Sequence, residues 1–123
     1  MLSVKIDREE EYMRIRYFGD TIDLVYGPLT EVVELIKLDN KKLLVDLDGI
    51  EYFTSAGISA LLATDKTAKN LNARIAFLLS HSAIHKIIER TGIQRLLPCF
   101  MTESEAMNFL KSDCTMKEHL IRR

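Results

Sequence analysis

Glycine is scarce in this chain, with five in 123 residues, and proline and cysteine are scarcer, with two of each. The few glycines form no Gly-rich phosphate loop of the P-loop or dinucleotide type. They form no G-x-S-x-G elbow either, because Thr54-Ser55-Ala56-Gly57 lacks the first glycine. No low-complexity segment and no internal repeat is present. Cys99 and Cys114 stand too far apart for a C-x-x-C metal-ligand pair and are expected to be two reduced thiols without a special role. No apolar run approaches the roughly 20 residues that a membrane helix needs, so no membrane association is expected. Neither charge is in excess: 17 Lys and Arg face 18 Asp and Glu, for a net charge of −1. A duplex-binding domain usually carries a basic surplus, so direct nucleic-acid binding is not expected. The start, Met1-Leu2-Ser3-Val4-Lys5-Ile6-Asp7, turns charged at once and does not read as a signal peptide. A soluble cytoplasmic protein is the expectation.

What is present is enough for one hydrophobic core. Apolar residues make up 47% of the chain, inside the globular range, and the length suits one domain without disulfides or metals. Leu2, Val4 and Ile6 alternate with Ser3, Lys5 and Asp7, which predicts a half-buried strand. After the charged break Arg8-Glu9-Glu10-Glu11, Met13, Ile15 and Tyr17 alternate with Arg14 and Arg16 as a second strand. The short connection predicts an antiparallel hairpin, ended by Gly19-Asp20.

Leu29, Val32, Val33 and Ile36 share one helix face, with Pro28 suited to the first helical turn. Asp39-Asn40-Lys41-Lys42 is a polar turn. Leu43-Leu44-Val45-Asp46-Leu47 has the near-continuous apolar character of a strand covered on both faces. A second helix follows Thr54-Ser55-Ala56-Gly57, with Ile58, Leu61 and Leu62 inward. Arg74-Ile75-Ala76-Phe77-Leu78-Leu79 predicts another buried strand. A third helix carries Ile84, Ile87 and Ile88, closed by Gly92. Leu96-Leu97 before Pro98 is a weak edge element. Thr102-Glu103-Ser104-Glu105 has the form of a capping box, ahead of a last helix with Ala106, Phe109 and Leu110 inward. The predicted fold is α/β: a mixed, mostly parallel sheet of four or five strands, an N-terminal antiparallel hairpin, and about four packing helices. Residues 1–111 form the domain, and 112–123 are a polar tail.

Catalysis finds little support. His81 and His85 share a helix face with Glu89 nearby, which suits solvated histidines better than a metal site; His119 stands in the tail. Asp46 and Asp48 face one side of a strand, but a Mg²⁺ site needs more acidic residues, and Asp7 and Asp20 are poorly placed. No nucleophile, base and orienting group can be assembled. The expectation is a protein that is not an enzyme and uses no cofactor or metal.

Ser55 is the residue that stands out. A serine or threonine before an apolar-periodic run is most often an N-cap, and Thr54 and Ser55 both qualify. The turn follows a buried strand, so it is rigidly placed. Helix N-termini tolerate a phosphate, and the small Ala56 and Gly57 allow another protein to approach.

These residues resemble the STAS domain, specifically the small stand-alone anti-sigma factor antagonists of bacteria. The family's apolar V-D-L strand followed by D-S-S-G-L appears as Leu44-Val45-Asp46-Leu47 and then Phe53-Thr54-Ser55-Ala56-Gly57-Ile58. Its G-E-L-D-like element appears as Gly19-Asp20-Thr21-Ile22-Asp23, with one extra residue. Its later element appears as His81-Ser82-Ala83-Ile84-His85-Lys86 and Thr91-Gly92-Ile93. The order and spacing hold over about residues 3 to 111. Thr54 stands where the family commonly has aspartate, and Ala56 where it has a second serine.

The resemblance implies partner switching. The unphosphorylated antagonist binds an anti-sigma factor that is also a serine kinase, the kinase phosphorylates it with ATP, and a phosphatase restores it. Carried over by position, the acceptor is Ser55, with Thr54 as a second candidate. The partner-binding residues are then Thr54, Ser55, Ala56, Gly57, Ile58 and Asp23. The expected state is a monomer or weak homodimer. The alternative reading is a non-phosphorylated scaffold or sensor of the same fold that binds a protein or small ligand.

Overall fold

Alternating side chains set the first hairpin. In the computed structural model, which describes residues 3–19, 27–80, 89–90, 92 and 95–111, β1 (Ser3–Arg8) and β2 (Met13–Gly19) pair antiparallel. The Glu9 N–H donates to the Tyr12 carbonyl (2.9 Å) and closes the turn. Met13, Ile15 and Tyr17 are buried together, as a period of two requires. β1 departs from the expected half-buried strand. It is the sheet's edge, and its apolar Val4 and Ile6 stay 39% and 42% exposed.

The chain then steps across the sheet in order: α1 (Thr30–Lys37), β3 (Lys42–Ile50), α2 (Ser55–Asn70), β4 (Arg74–Leu78), β5 (Cys99–Phe100) and α3 (Glu103–Lys111). The strands lie in the order β1-β2-β3-β4-β5, and every pair after the hairpin is parallel. Parallel neighbours need a crossover, and α1 and α2 supply two of them. Both steps run in the same direction across the sheet, so crossovers of one hand put both helices on one face. There Val32 and Ile36 of α1 and Leu61 and Ala68 of α2 pack with Ile15, Tyr17, Val45 and Phe77. On the other face Ala106 and Leu110 of α3 meet Leu44, Ala76 and Leu78. β3 is covered on both sides, which accounts for its apolar run.

The five-stranded, mostly parallel sheet with its N-terminal hairpin agrees with the expectation. Three complete helices, and the helical residues Glu89 and Arg90, are seen among the described residues. The expected helix over Ile84, Ile87 and Ile88 lies outside them, although Gly92 has the predicted left-handed backbone (φ 72°). Pro28 is a correction. It lies ahead of the N-cap residue Leu29 instead of inside the first turn, and Leu29 has no capping side chain to offer. The buried Leu29 N–H donates instead to Thr64 Oγ1 of α2 (2.8 Å), and that hydroxyl donates to the Ala60 carbonyl (2.7 Å). Thr102 caps the last helix as expected: its Oγ1 accepts from the Glu105 N–H (3.2 Å), while the Glu105 carboxylate accepts from the Thr102 hydroxyl (3.1 Å) instead of the backbone N–H of a full capping box.

α3 is also held by charge. Arg14 lies on the face of β2 away from the main core and is 9% exposed. Its guanidinium donates to Asp46 Oδ2 on β3 (3.2 Å) and to the Glu103 carboxylate at the start of α3. The hydrogen bond from Arg14 holds Glu103 below its usual carboxylate range. Arg14→Met leaves the largely buried Asp46 carboxylate with Arg16, 4.0 Å away, as its remaining cation and is expected to cost about 3 kcal/mol, read from the urea midpoint. A carboxylate whose folded pKa is lowered adds stability above its unfolded pKa and loses it as pH falls through the folded value. The wild type should therefore lose stability as pH drops through and below the ordinary carboxylate range. That slope should be shallower in Arg14→Met.

Candidate functional site

Parallel sheets present their binding loops at the carboxyl ends of the strands. β3 approaches that end through a bulge. Its pairing with β2 steps from Arg16↔Asp46 to Phe18↔Gly49, so β3 carries one extra residue. Asp46 holds the bulge: Oδ1 accepts from the Asp48 N–H (3.0 Å) while Oδ2 takes the bond from Arg14. Arg16 Nε stands 4.0 Å from the same oxygen. Asp48 Oδ1 accepts from the Ser80 N–H (2.6 Å), which ties the strand end to the residues after β4. Both aspartates therefore do structural work. Among the described residues no group of three or more His, Cys, Asp or Glu could hold a metal ion. His81, His85, His119 and Asp20 lie outside them. Glycine is required at position 49. A Cβ there would sit 2.7 Å from the Tyr17 carbonyl oxygen and 2.7 Å from the Phe18 ring.

Past the bulge, the Glu51 N–H donates to the Gly19 carbonyl (3.0 Å), fastening the exit of β3 to the end of β2. Residue type leaves the helix cap open between Thr54 and Ser55. The backbone assigns it to Thr54, which is extended (φ −96°, ψ 169°). Thr54 Oγ1 accepts from the Gly57 N–H (3.1 Å), and its carbonyl accepts from the Ile58 N–H (2.9 Å). Ser55 takes the first helical position and is exposed. Ala56 is exposed beside it, Gly57 is buried, and Ile58 packs half-buried against the core. Tyr52 is 67% exposed just before the turn. Ser55, Ala56 and Ser59 are exposed in the first turns of α2, and Ser55 and Ser59, four residues apart, share one side of the helix. No acidic residue stands in the first turn of α2, so the positive end of the helix is not offset there.

Among the partner-binding residues implied by the family resemblance, Thr54 to Ile58 lie in one turn. Asp23 lies outside the described residues. Sequence reasoning missed the Arg14–Asp46–Glu103 network and the steric role of Gly49. One signal was available. A strand covered on both faces shares its second cover with its neighbour, so Arg14 on β2 needed an acidic partner. Cys99 is partly buried, and burial, helped by the charge of Asp65, pushes its thiol up to about 12. Such a thiol stays protonated at neutral pH and is a poor nucleophile. Cys114 lies outside the described residues.

An N-terminal hairpin, a parallel sheet between two helical layers, and a serine at the start of the helix after the central strand define a class of small α/β domain. Residues 5–106 match the STAS domain, and the chain belongs to that family. Its fold is shared by an anti-sigma factor antagonist from Mycobacterium paratuberculosis, with a TM-score of 0.72 at 18% identity, covering 91% of this chain and 96% of that one. A STAS domain protein described as an anti-sigma-factor antagonist, from Planctomyces limnophilus, gives 0.62 at 23% identity, covering 89% and 98%. The anti-sigma factor antagonist SpoIIAA in its unphosphorylated form gives 0.54 at 16%, covering 86% and 94%. No curated protein matches the chain. Among the described residues no helix is long and apolar enough to cross a membrane.

Two substitutions separate the roles of the turn. Thr54→Val removes the cap and should cost about 1 kcal/mol, whereas Ser55→Ala should stay within about 0.5 kcal/mol. Equal losses in urea unfolding would reverse the cap assignment. Gly49→Ala forces the backbone of β2 to shift and should cost about 1–3 kcal/mol in the same assay.

Proposed function

We propose that this protein is a bacterial, cytoplasmic anti-sigma factor antagonist. It docks an anti-sigma factor that is also a serine kinase through the start of α2, and phosphorylation of Ser55 regulates the contact. The observation that carries the reading is the division of labour in the turn. Thr54 supplies the cap, so Ser55 presents an exposed hydroxyl at the helix N-terminus. The family assignment and the shared fold with anti-sigma factor antagonists support the partner class. A phosphate on Ser55 adds about two negative charges in the middle of a small-residue surface, against which a partner packs closely. The helix N-terminus accommodates that charge, so modification changes docking without unfolding the domain. Thr54 is the weaker acceptor, because modifying its oxygen would break the cap. A phosphatase completes the cycle. The role is regulatory, with no catalytic group, cofactor or metal.

The test uses the full chain with a kinase-type anti-sigma factor and ATP. One phosphate should appear at Ser55 by mass spectrometry, and Ser55→Ala should abolish it. Ser55→Asp should weaken the complex about tenfold or more in a calorimetric titration. Phosphate elsewhere, or an unchanged affinity, would sink the phosphoswitch. A complex indifferent to both ATP and Ser55→Asp would point to the unregulated scaffold instead.

A further inference from the structure

β1 ends the sheet, and among the described residues no strand lies beyond it. Ladder geometry decides which backbone groups it leaves open. The Glu9 N–H donates to the Tyr12 carbonyl, so that pair is of the hydrogen-bonded kind. Hydrogen-bonded pairs alternate along an antiparallel ladder, so Asp7↔Arg14, Lys5↔Arg16 and Ser3↔Phe18 are of the same kind. The residues between them, Val4, Ile6 and Arg8, therefore turn their N–H and C=O groups away from β2 and toward the open edge.

Natural edges are usually blunted by proline, a bulge or an inward-pointing charge. β1 has no proline, and its pairing with β2 is unbroken from Ser3 to Arg8; its charges are Lys5 and Asp7 on one face and Arg8 on the core face at its end. Val4 and Ile6 stand opposite Tyr17 and Ile15, on the main core face, yet they are 39% and 42% exposed. The apolar stripe of that face stops unfinished at the edge. Lys5 and Asp7 lie on the other face, and among the described residues neither has an ion-pair partner in its own chain.

We propose that β1 pairs antiparallel with β1 of a second copy, joining the two sheets into one across a two-fold axis. The axis keeps like faces together, so Val4, Ile6 and Arg8 of one chain can oppose only each other in the partner. Charge then selects the register. An axis at Lys5 sets lysine against lysine, and an axis at Asp7 sets aspartate against aspartate. An axis at Ile6 sets Ile6 against Ile6, Val4 against Arg8, and Lys5 against Asp7 twice. This register pairs every outward backbone group of Val4, Ile6 and Arg8. It places Val4 and Ile6 of both chains in one apolar patch that continues the core face. The Lys5–Asp7 pairs fall at positions without backbone bonds, where opposing side chains come closest and opposite charges contribute most directly.

The surface is separate from the start of α2, so its test reads independently of Ser55. Sedimentation of the full chain at low salt, up to about 1 mM, should show a reversible monomer–dimer equilibrium. Lys5→Glu should weaken it about tenfold by setting like charges opposite each other. Lys5→Asp combined with Asp7→Lys should restore it, with circular dichroism confirming the fold of each variant. In a Cys99→Ser, Cys114→Ser background, Lys5→Cys with Asp7→Cys should oxidise to a covalent dimer, because a directly opposed pair meets disulfide spacing. Either cysteine alone should not, since its twin lies two residues off along the strand. A monomer at every concentration overturns the proposal. Efficient crosslinking by a single cysteine overturns the register.

Discussion

Asp46 accepts the Asp48 N–H with one carboxylate oxygen and the Arg14 guanidinium with the other. Three parts of the domain meet through that group. The first bond stabilises the bulge that ends the regular pairing of β2 with β3. The second fills the far face of β2 with a charge that would otherwise lie buried alone. Arg14 then reaches Glu103, so the first turn of α3 is fixed to the same point. A largely buried ion pair gains little net stability, because desolvation offsets most of its attraction. Its value here is positional: removing either partner is costly, and no slipped register of β2 on β3 would satisfy both.

That constraint propagates to the helix start. The bulge and the Glu51–Gly19 hydrogen bond set the point at which the chain leaves the sheet. Gly49 lets the strands close to a separation that any side chain would prevent. From there residues 51–54 have little freedom before Thr54 caps α2. Ser55 is thus exposed on a backbone fixed at both ends, by the sheet before it and by the buried Gly57 and half-buried Ile58 after it. Under the proposed function, a docking surface held this way would need little ordering when a partner arrives, which would reduce one of the main costs of association.

Much of this was legible from local pattern. The alternation in Met13, Ile15 and Tyr17, the apolar run of β3 and the cap at Thr102 report short-range rules that the tertiary structure does not override. The strand-to-helix turn that carries Ser55 was legible for the same reason, since a buried strand running into a helix start is a local feature. What escaped depends on distance. Arg14 finds its partners 32 and 89 residues away, which no window of sequence reveals. The N-cap between Thr54 and Ser55 turns on backbone angles, since both side chains can cap. Period two told which face of β1 holds Val4 and Ile6 but not whether anything covers that face. Pro28 was misplaced because the start of α1 is decided by a hydroxyl on α2.

The Thr54 cap also bears on how the proposed switch would tolerate its own signal. A cap needs only an acceptor oxygen, and a carboxylate or a hydroxyl serves about equally well. A carboxylate, however, would place a permanent charge beside Ser55. A phosphate there carries nearly two charges, and each pair of like charges at about 4 Å costs on the order of 1 kcal/mol even at the dielectric of water. Threonine keeps the Gly57 hydrogen bond and removes that repulsion. With no acidic residue in the first turn, the helix end stays positive toward the added group. The energetic effect of modification then falls chiefly on the partner's surface and little on the domain itself, which is what a reversible docking switch requires.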